Sequence, residues 1–238
     1  MSQFLFFHPD LSSKNIILPE EESKHLIRVL RKQKGDIIQL MDGKGNLAFA
    51  RIEEDNPKKC LLLITEISLK VKNRNYHFDL VIAPTKNMER IEWMLEKCCE
   101  IGLDAIYFIN CENSERSKLN LERLEKICIS AIKQSKQFYL PEIHPLVDFK
   151  SFIEKAKSTD STKLIAWCET DMTENIQSKL RKKANNHLIF MVGPEGDFSE
   201  NEISLAKANG FSEVSLGSNI LRTETAGLYA CVTASQLL

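Results

Sequence analysis

The chain has 238 residues, 43% of them hydrophobic, with 32 basic side chains against 33 acidic ones and a net charge of −1. That length and apolar content suffice for one large or two small packed domains, while the balanced charge argues against indiscriminate nucleic-acid binding and confines any RNA site to a local patch. No segment approaches membrane-spanning length, and MSQFLFFHPD has too short an apolar stretch for a signal peptide, with no basic residue before it, so a cytoplasmic protein is expected.

Residues 1 to 70 read as a small β-rich domain. Phe4 to His8 and Ile16 to Leu18 are short apolar runs. Ile37 to Met41, the turn residues Asp42-Gly43, and Leu47 to Ile52 suggest a hairpin, and Cys60 to Ile67 a final strand. Glu20 to Leu30 is a predicted helix whose end carries Lys24, Arg28, Arg31, Lys32 and Lys34. Basic residues there complement the helix dipole or form a phosphate-contacting patch. The polar stretch Val71 to Asn75 interrupts the pattern and sets the domain boundary, giving domains 1–72 and 73–238.

Beyond the boundary the period changes. Phe78 to Ala83 is a strand, and Met88, Ile91, Met94, Leu95, Cys98 and Cys99 mark the buried face of a helix that Gly102 ends. Ala105 to Ile109 completes a βαβ unit, which implies a parallel pair. Leu121 to Ser135 repeats at helical spacing, Asp148 starts a short helix, Leu164 to Cys168 is a strand, and Thr173 caps another helix. Trp93 and Trp167 read as core. The seven cysteines lack any CxxC pair and read as buried small hydrophobes, and no ligand spacing implies a metal.

The most informative stretch is 187 to 226. Two apolar runs, Leu188 to Val192 and Val214 to Leu216, each end in a glycine loop that opens a helix, the arrangement by which a parallel sheet makes a crevice at its strand ends. Between them Ser199 and Glu202 form a capping box, and Gly210 marks a helix end. Neither GxxxxGK[ST] nor GxGxxG is present. Apolar Ile220-Leu221 beside backbone amides and hydroxyls suits a flat aromatic ligand better than a triphosphate.

MVGPEGDFSENEI followed by LGSNILRTETA resembles the C-terminal signature of the RsmE family, the SPOUT-superfamily methyltransferases of a 16S ribosomal RNA uracil N3. Ala83 to Lys97, Ser114 to Ser117, and His25 to Arg31 with Gly35-Asp36 are similar to further family motifs, so the resemblance covers nearly the whole chain. It departs at Asp197, where the family pattern has a third glycine; Asp is a tolerated replacement if the backbone there has positive φ. The resemblance implies an α/β fold: a SPOUT-like parallel sheet with a C-terminal trefoil knot, preceded by a PUA-like β-barrel. It further implies S-adenosylmethionine as cofactor, 16S RNA or the small subunit as partner, and a homodimer.

Carried over from the motif positions, the cofactor residues are Glu169, Gly193, Glu195, Gly196, Leu216, Gly217, Ile220, Leu221 and Thr225. Methylating a uracil N3 requires loss of the imide proton, which pushes charge onto the ring carbonyls. Arg222 is read as the oxyanion stabiliser and Glu224 as the base or as the residue orienting Arg222. Candidate RNA contacts are Arg28, Arg31 and Lys32, with Lys86, Arg90, Ser114 and Arg116 at strand ends of the second domain. A ribose 2′-O-methyltransferase of the same superfamily and a non-catalytic RNA-binding or assembly protein are the rival readings.

Overall fold

The computed structural model describes residues 4–72, 74–115, 118–181 and 186–238. The chain divides into two compact units, Met1–Asn73 with Ile132–Leu140, and Arg74–Ala131 with Pro141–Leu238.

The first unit is a five-stranded sheet built from β1 (Leu5–Phe7), β2 (Asn15–Ile17), β3 (Ile37–Met41), β4 (Asn46–Glu54) and β5 (Leu61–Leu69), in the order β1-β3-β4-β5-β2. Only β1 and β3 pair parallel; the other pairs are antiparallel, and two register shifts in the β4–β5 ladder curl the sheet around Phe6, Leu40, Ile52 and Leu62. Helix α1 (Glu20–Lys24) runs directly into a π-helical turn, His25–Val29, so the predicted single α-helix changes winding midway. Arg31 follows at φ 54, turning the chain away. The segment after residue 132 completes the unit. Leu140 donates its N–H to Gly43 O, Gly45 N–H reaches Phe138 O, and the Tyr139 hydroxyl donates to Lys70 O.

The second unit holds β6 (His77–Ile82), α2 (Met88–Ile101), β7 (Ala105–Asn110), α3 (Leu121–Ser135, whose last residues belong to the first unit), β8 (Glu142–Asp148) and α4 (Phe149–Lys157). It continues through β9 (Thr162–Ala166), α5 (Ile176–Arg181), β10 (His187–Val192), α6 (Glu200–Ala208), β11 (Ser212–Val214) and α7 (Thr223–Leu237). The six strands form one sheet, β11-β9-β10-β6-β7-β8, with every pair parallel. The central strands read as apolar runs because both faces are covered: Leu80, Val81, Ile106, Phe108 and Phe190 are fully buried. Burial of each such side chain is worth about 1.5–3 kcal/mol.

From β6 the chain winds towards β8, whereas from β10 it winds the other way to β11, so the sheet has its switch point between β10 and β6. Open parallel sheets bind ligands at the carboxyl ends of strands at such a point. Helix α7 covers this region through a stripe of small residues, Ala226, Gly227, Ala230 and Ala234; a Cβ on Gly227 would stand 2.6 Å from Met94 Sδ of α2.

Four expectations need correction. Strand β8 is absent from the sequence reading because EIHPLVD contains Pro145 and has no regular alternation. Asn175, not Thr173, caps α5: its Oδ1 accepts from Ser178 N at 2.9 Å, whereas Thr173 is held in a turn by Asp171. Cys168 is exposed, unlike the other six cysteines. Trp93 projects outward at 48% exposure rather than joining the core. Among the described residues no helix is long and apolar enough to cross a membrane.

Candidate active site

A cavity of about 400 Å³ opens at the carboxyl ends of β9, β10 and β11, within the range of roughly 300–1,000 Å³ typical of small-molecule sites. Its walls are Ala166 to Cys168, Val192 to Glu195 with Asp197, the loop Val214 to Arg222, the first turn of α7 and Arg90 from α2.

The first loop is a turn closed by Asp197 N–H donating to Pro194 O at 3.0 Å. Asp197 has φ 57, the left-handed backbone in which Asp is tolerated. Its carboxylate also does what glycine cannot. Oδ1 accepts from Phe198 N at 2.8 Å and Oδ2 from Cys168 N at 3.1 Å, tying the loop to the end of β9. Asn113 donates to the carbonyls of Gly196 and Asp197, and a Cβ on Gly196 would press to 3.1 Å from that side chain. The capping box of α6 forms as expected, and Glu202 additionally accepts from Glu112 N.

The second loop is held by the start of α5 and the turn before it, through Ser215 N–H to Glu174 O (2.9 Å) and Ile176 N–H to Ser215 O (3.2 Å). At Gly217, φ is 127 and a Cβ would meet nothing within 4 Å among the described residues, so the backbone here is open. Ile220, which lines the cavity, is 86% exposed. The two loops are joined by the Thr223 hydroxyl, which donates to Gly193 O at 3.1 Å. The positive end of the α7 dipole thus faces the cavity.

Of the residues read from the sequence as cofactor contacts, Gly193, Glu195, Leu216, Gly217, Ile220 and Leu221 line the cavity. Gly196 is turned onto Asn113, and Thr225 is an exposed residue of the first turn of α7 outside the lining. Glu169 is exposed one residue beyond the lining Cys168. Arg222 lines the cavity at the N-cap of α7. Glu224 lies just beneath, 7% exposed, and it faces Arg90 rather than Arg222: its Oε1 is 3.9 Å from Arg90 Nε. Its other oxygen, Oε2, is buried with no hydrogen-bond partner among the described residues. Arg90, read from the sequence as an RNA contact, thus stands in the cavity wall beside Glu224.

Sequence reasoning missed Trp167, Cys168, Asp197 and Thr223 as site residues, since their contributions come from loop geometry. Partial desolvation at the cavity wall, then the neighbouring Asp197, push the Cys168 thiol up to about 11, although the residue remains exposed as a whole. Of the remaining RNA candidates, Lys86 pairs with Glu115 at 3.1 Å and Ser114 Oγ accepts from Cys111 N. Arg116 lies outside the described residues. In the first unit Arg28 and Arg31 are exposed, while Lys32 stands 3.8 Å from Asp36.

A parallel sheet whose strand ends hold a glycine-loop cavity, with an arginine at the start of its last helix, defines an α/β protein that binds a small ligand at its switch point. Residues 72–235 match the RNA methyltransferase domain family, and residues 18–65 the RNA methyltransferase PUA domain. The ribosomal RNA small subunit methyltransferase E of Synechocystis sp. is 32% identical over 232 residues, spanning 94% of this chain and 73% of that protein. A probable rRNA-methyltransferase from Porphyromonas gingivalis has 40% identity and a TM-score of 0.88, covering 98% of this chain and 97% of that one. The Neisseria gonorrhoeae ribosomal RNA small subunit methyltransferase E, bound to S-adenosyl methionine, has 28% identity and a TM-score of 0.81 with the same coverage. The chain belongs to the ribosomal RNA small subunit methyltransferase E (RsmE) family.

Proposed function

We propose that this protein transfers a methyl group from S-adenosylmethionine to N3 of a uridine in 16S ribosomal RNA, acting in the cytoplasm as a homodimer. The observation that carries the reading is the sharing of one cavity by both glycine loops, Arg222 and Arg90, with the buried Glu224 carboxylate next to them.

The residues fit the cofactor. Open backbone at Gly217, the apolar side chains of Leu216, Ile220 and Leu221, and the Glu195 carboxylate offer a wall for a flat base and a partner for polar groups. Gly193, Gly196, Glu169 and Thr225 would complete that shell at its base and rim. When bound, S-adenosylmethionine supplies an electrophilic methyl group on a sulfonium. The protein then holds the uracil in line and handles its proton.

The N3 proton passes to the Glu224 carboxylate, directly or through one water. Charge left on the flanking ring carbonyls is stabilised by the Arg222 guanidinium. Arg90 holds the Glu224 carboxylate in position. Because N3 lies on the pairing edge, the uridine must be unpaired or flipped out, at a cost of a few kcal/mol that other RNA contacts offset. Lys86, Ser114 and Arg116 of the second domain, with Arg28, Arg31 and Lys32 of the first, are the residues proposed for that role. Residues 1–72 act as the RNA-holding domain and 73–238 as the methyltransferase domain, its C-terminal segment threaded as the superfamily's knot. The exposed Trp93 and Val232, on α2 and α7, give a dimer interface apolar anchors.

Labelled-methyl transfer to 16S RNA in small subunits lacking the modification, with Arg222→Ala beside the parent, tests the reading. Transfer that disappears in a folded variant still able to bind cofactor is the expected result. No transfer by a parent that binds cofactor would overturn the substrate.

A further inference from the structure

The opposite end of the same sheet carries a second cluster of chemistry-bearing side chains. In the parallel register His187, the first residue of β10, stands beside His77, the first residue of β6. The pleat places Asp79 on the same face, two residues on. His77 Nε2 is 2.7 Å from Asp79 Oδ1, and His187 Nε2 is 2.8 Å from Asp79 Oδ2. One donor atom from each residue lies within 4.8 Å of the others. The cavity starts at Val192, five residues along β10 and so roughly 17 Å away at ~3.3 Å per residue.

We infer that His77, Asp79 and His187 form a binding site for a divalent transition-metal ion of the zinc class. Two imidazoles and one carboxylate are a donor set that zinc accepts and that the oxygen-preferring calcium and magnesium do not favour. Metal-bound histidines ordinarily direct their second nitrogen at a carboxylate, and His77 Nδ1 faces Asp104 Oδ1 at 4.0 Å. Asp104 is itself held in place by Arg74 at 2.8 Å and by the Phe78 N–H at 2.8 Å. Tetrahedral bonds of about 2.0–2.2 Å set ligand atoms roughly 3.3 Å apart, so each imidazole opens from the carboxylate oxygen beside it by about half an ångström and the two rings turn onto one ion between them. Their side-chain exposures of 49% and 27% leave room for that movement and for water as the fourth ligand. The ion clamps β6 to β10 at their starts and takes no part in the chemistry at their other ends.

The test uses the full chain, stripped with a chelator and dialysed. Zinc is titrated by calorimetry and cobalt(II) by its visible absorption, with His77→Ala, His187→Ala and the double variant alongside. The expected result is one equivalent bound, a Tm raised by zinc, and affinity at least tenfold weaker in each single variant, with cofactor affinity unchanged throughout. The histidines are partly exposed, so their replacement leaves the core intact. Absence of stoichiometric binding would mean a hydrogen-bonded clamp only, and overturns the inference. Undiminished binding by the double variant would assign the metal to other groups and overturns it equally.

Discussion

Replacing Glu224 by Gln tests the proton-transfer step with almost no change in shape. The side chain is 7% exposed and its Oε2 has no hydrogen-bond partner among the described residues, so the isosteric amide takes the same space without breaking a hydrogen bond there. What changes is charge. Glu224 Oε1 lies 3.9 Å from Arg90 Nε, and the arginine side chain is 40% exposed, so solvent screens the pair and its loss costs about 1 kcal/mol or less of stability. An amide cannot take the N3 proton, and losing a general base typically lowers kcat by roughly 10²–10⁴-fold, or about 3–5 kcal/mol of barrier. The effect on rate should therefore far exceed the effect on folding. Single-turnover methyl transfer at saturating cofactor, beside calorimetric cofactor affinity and urea unfolding, separates the two. A kcat within threefold of the parent, with folding and affinity intact, would remove Glu224 from the proton path and leave it a structural partner of Arg90.

Gly45→Ala should destabilise the first unit by about 2–4 kcal/mol in urea unfolding, since φ is 98 and the new Cβ would fall 2.5 Å from the Tyr139 hydroxyl oxygen. Asp197→Ala should cost about 2 kcal/mol and weaken cofactor binding by calorimetry, because two backbone N–H groups lose their acceptor at a left-handed position; Asp197→Gly, free of the backbone strain, should cost less. His144 stacks on Tyr107, and burial, then Lys155, hold its imidazole below the ordinary value of 6.5. A proton therefore binds more tightly to the unfolded chain. The stability this contributes is complete above pH 6.5 and is lost as pH falls through the lower folded value. A thermal-unfolding series from pH 8 to 4.5 should show a shallower acid decline in His144→Phe, which keeps the stacking and cannot titrate.

Where local chemistry decides, the sequence was a sufficient guide. The run from Phe78 through Gly102 to Ile109 carries its own period, cap and stop, and the structure places β6, α2 and β7 there. Ser199 and Glu202 form the box their spacing implied. Strand β8 was hidden because pairing with β7, rather than apolar alternation, makes Glu142–Asp148 extended. The π turn at His25–Val29 has no sequence signature comparable to a cap. Both glycine loops could be read as ligand loops, but not that Asp197 would brace one of them against Cys168. Nor could the meeting of Arg90 with Glu224, or of His77 with His187, be read from segments so far apart in the chain. Tertiary placement alone brings them together.

The central claim is methylation of a uridine base, and the measurement nearest to it is mass spectrometry of nucleosides from 16S RNA after incubation of unmodified small subunits with the protein and S-adenosylmethionine. The account predicts 3-methyluridine in the parent reaction and none with Arg222→Ala. A ribose-methylated nucleoside in its place would keep the fold and the cavity but contradict the removal of a base proton by Glu224 and the charge stabilisation by Arg222.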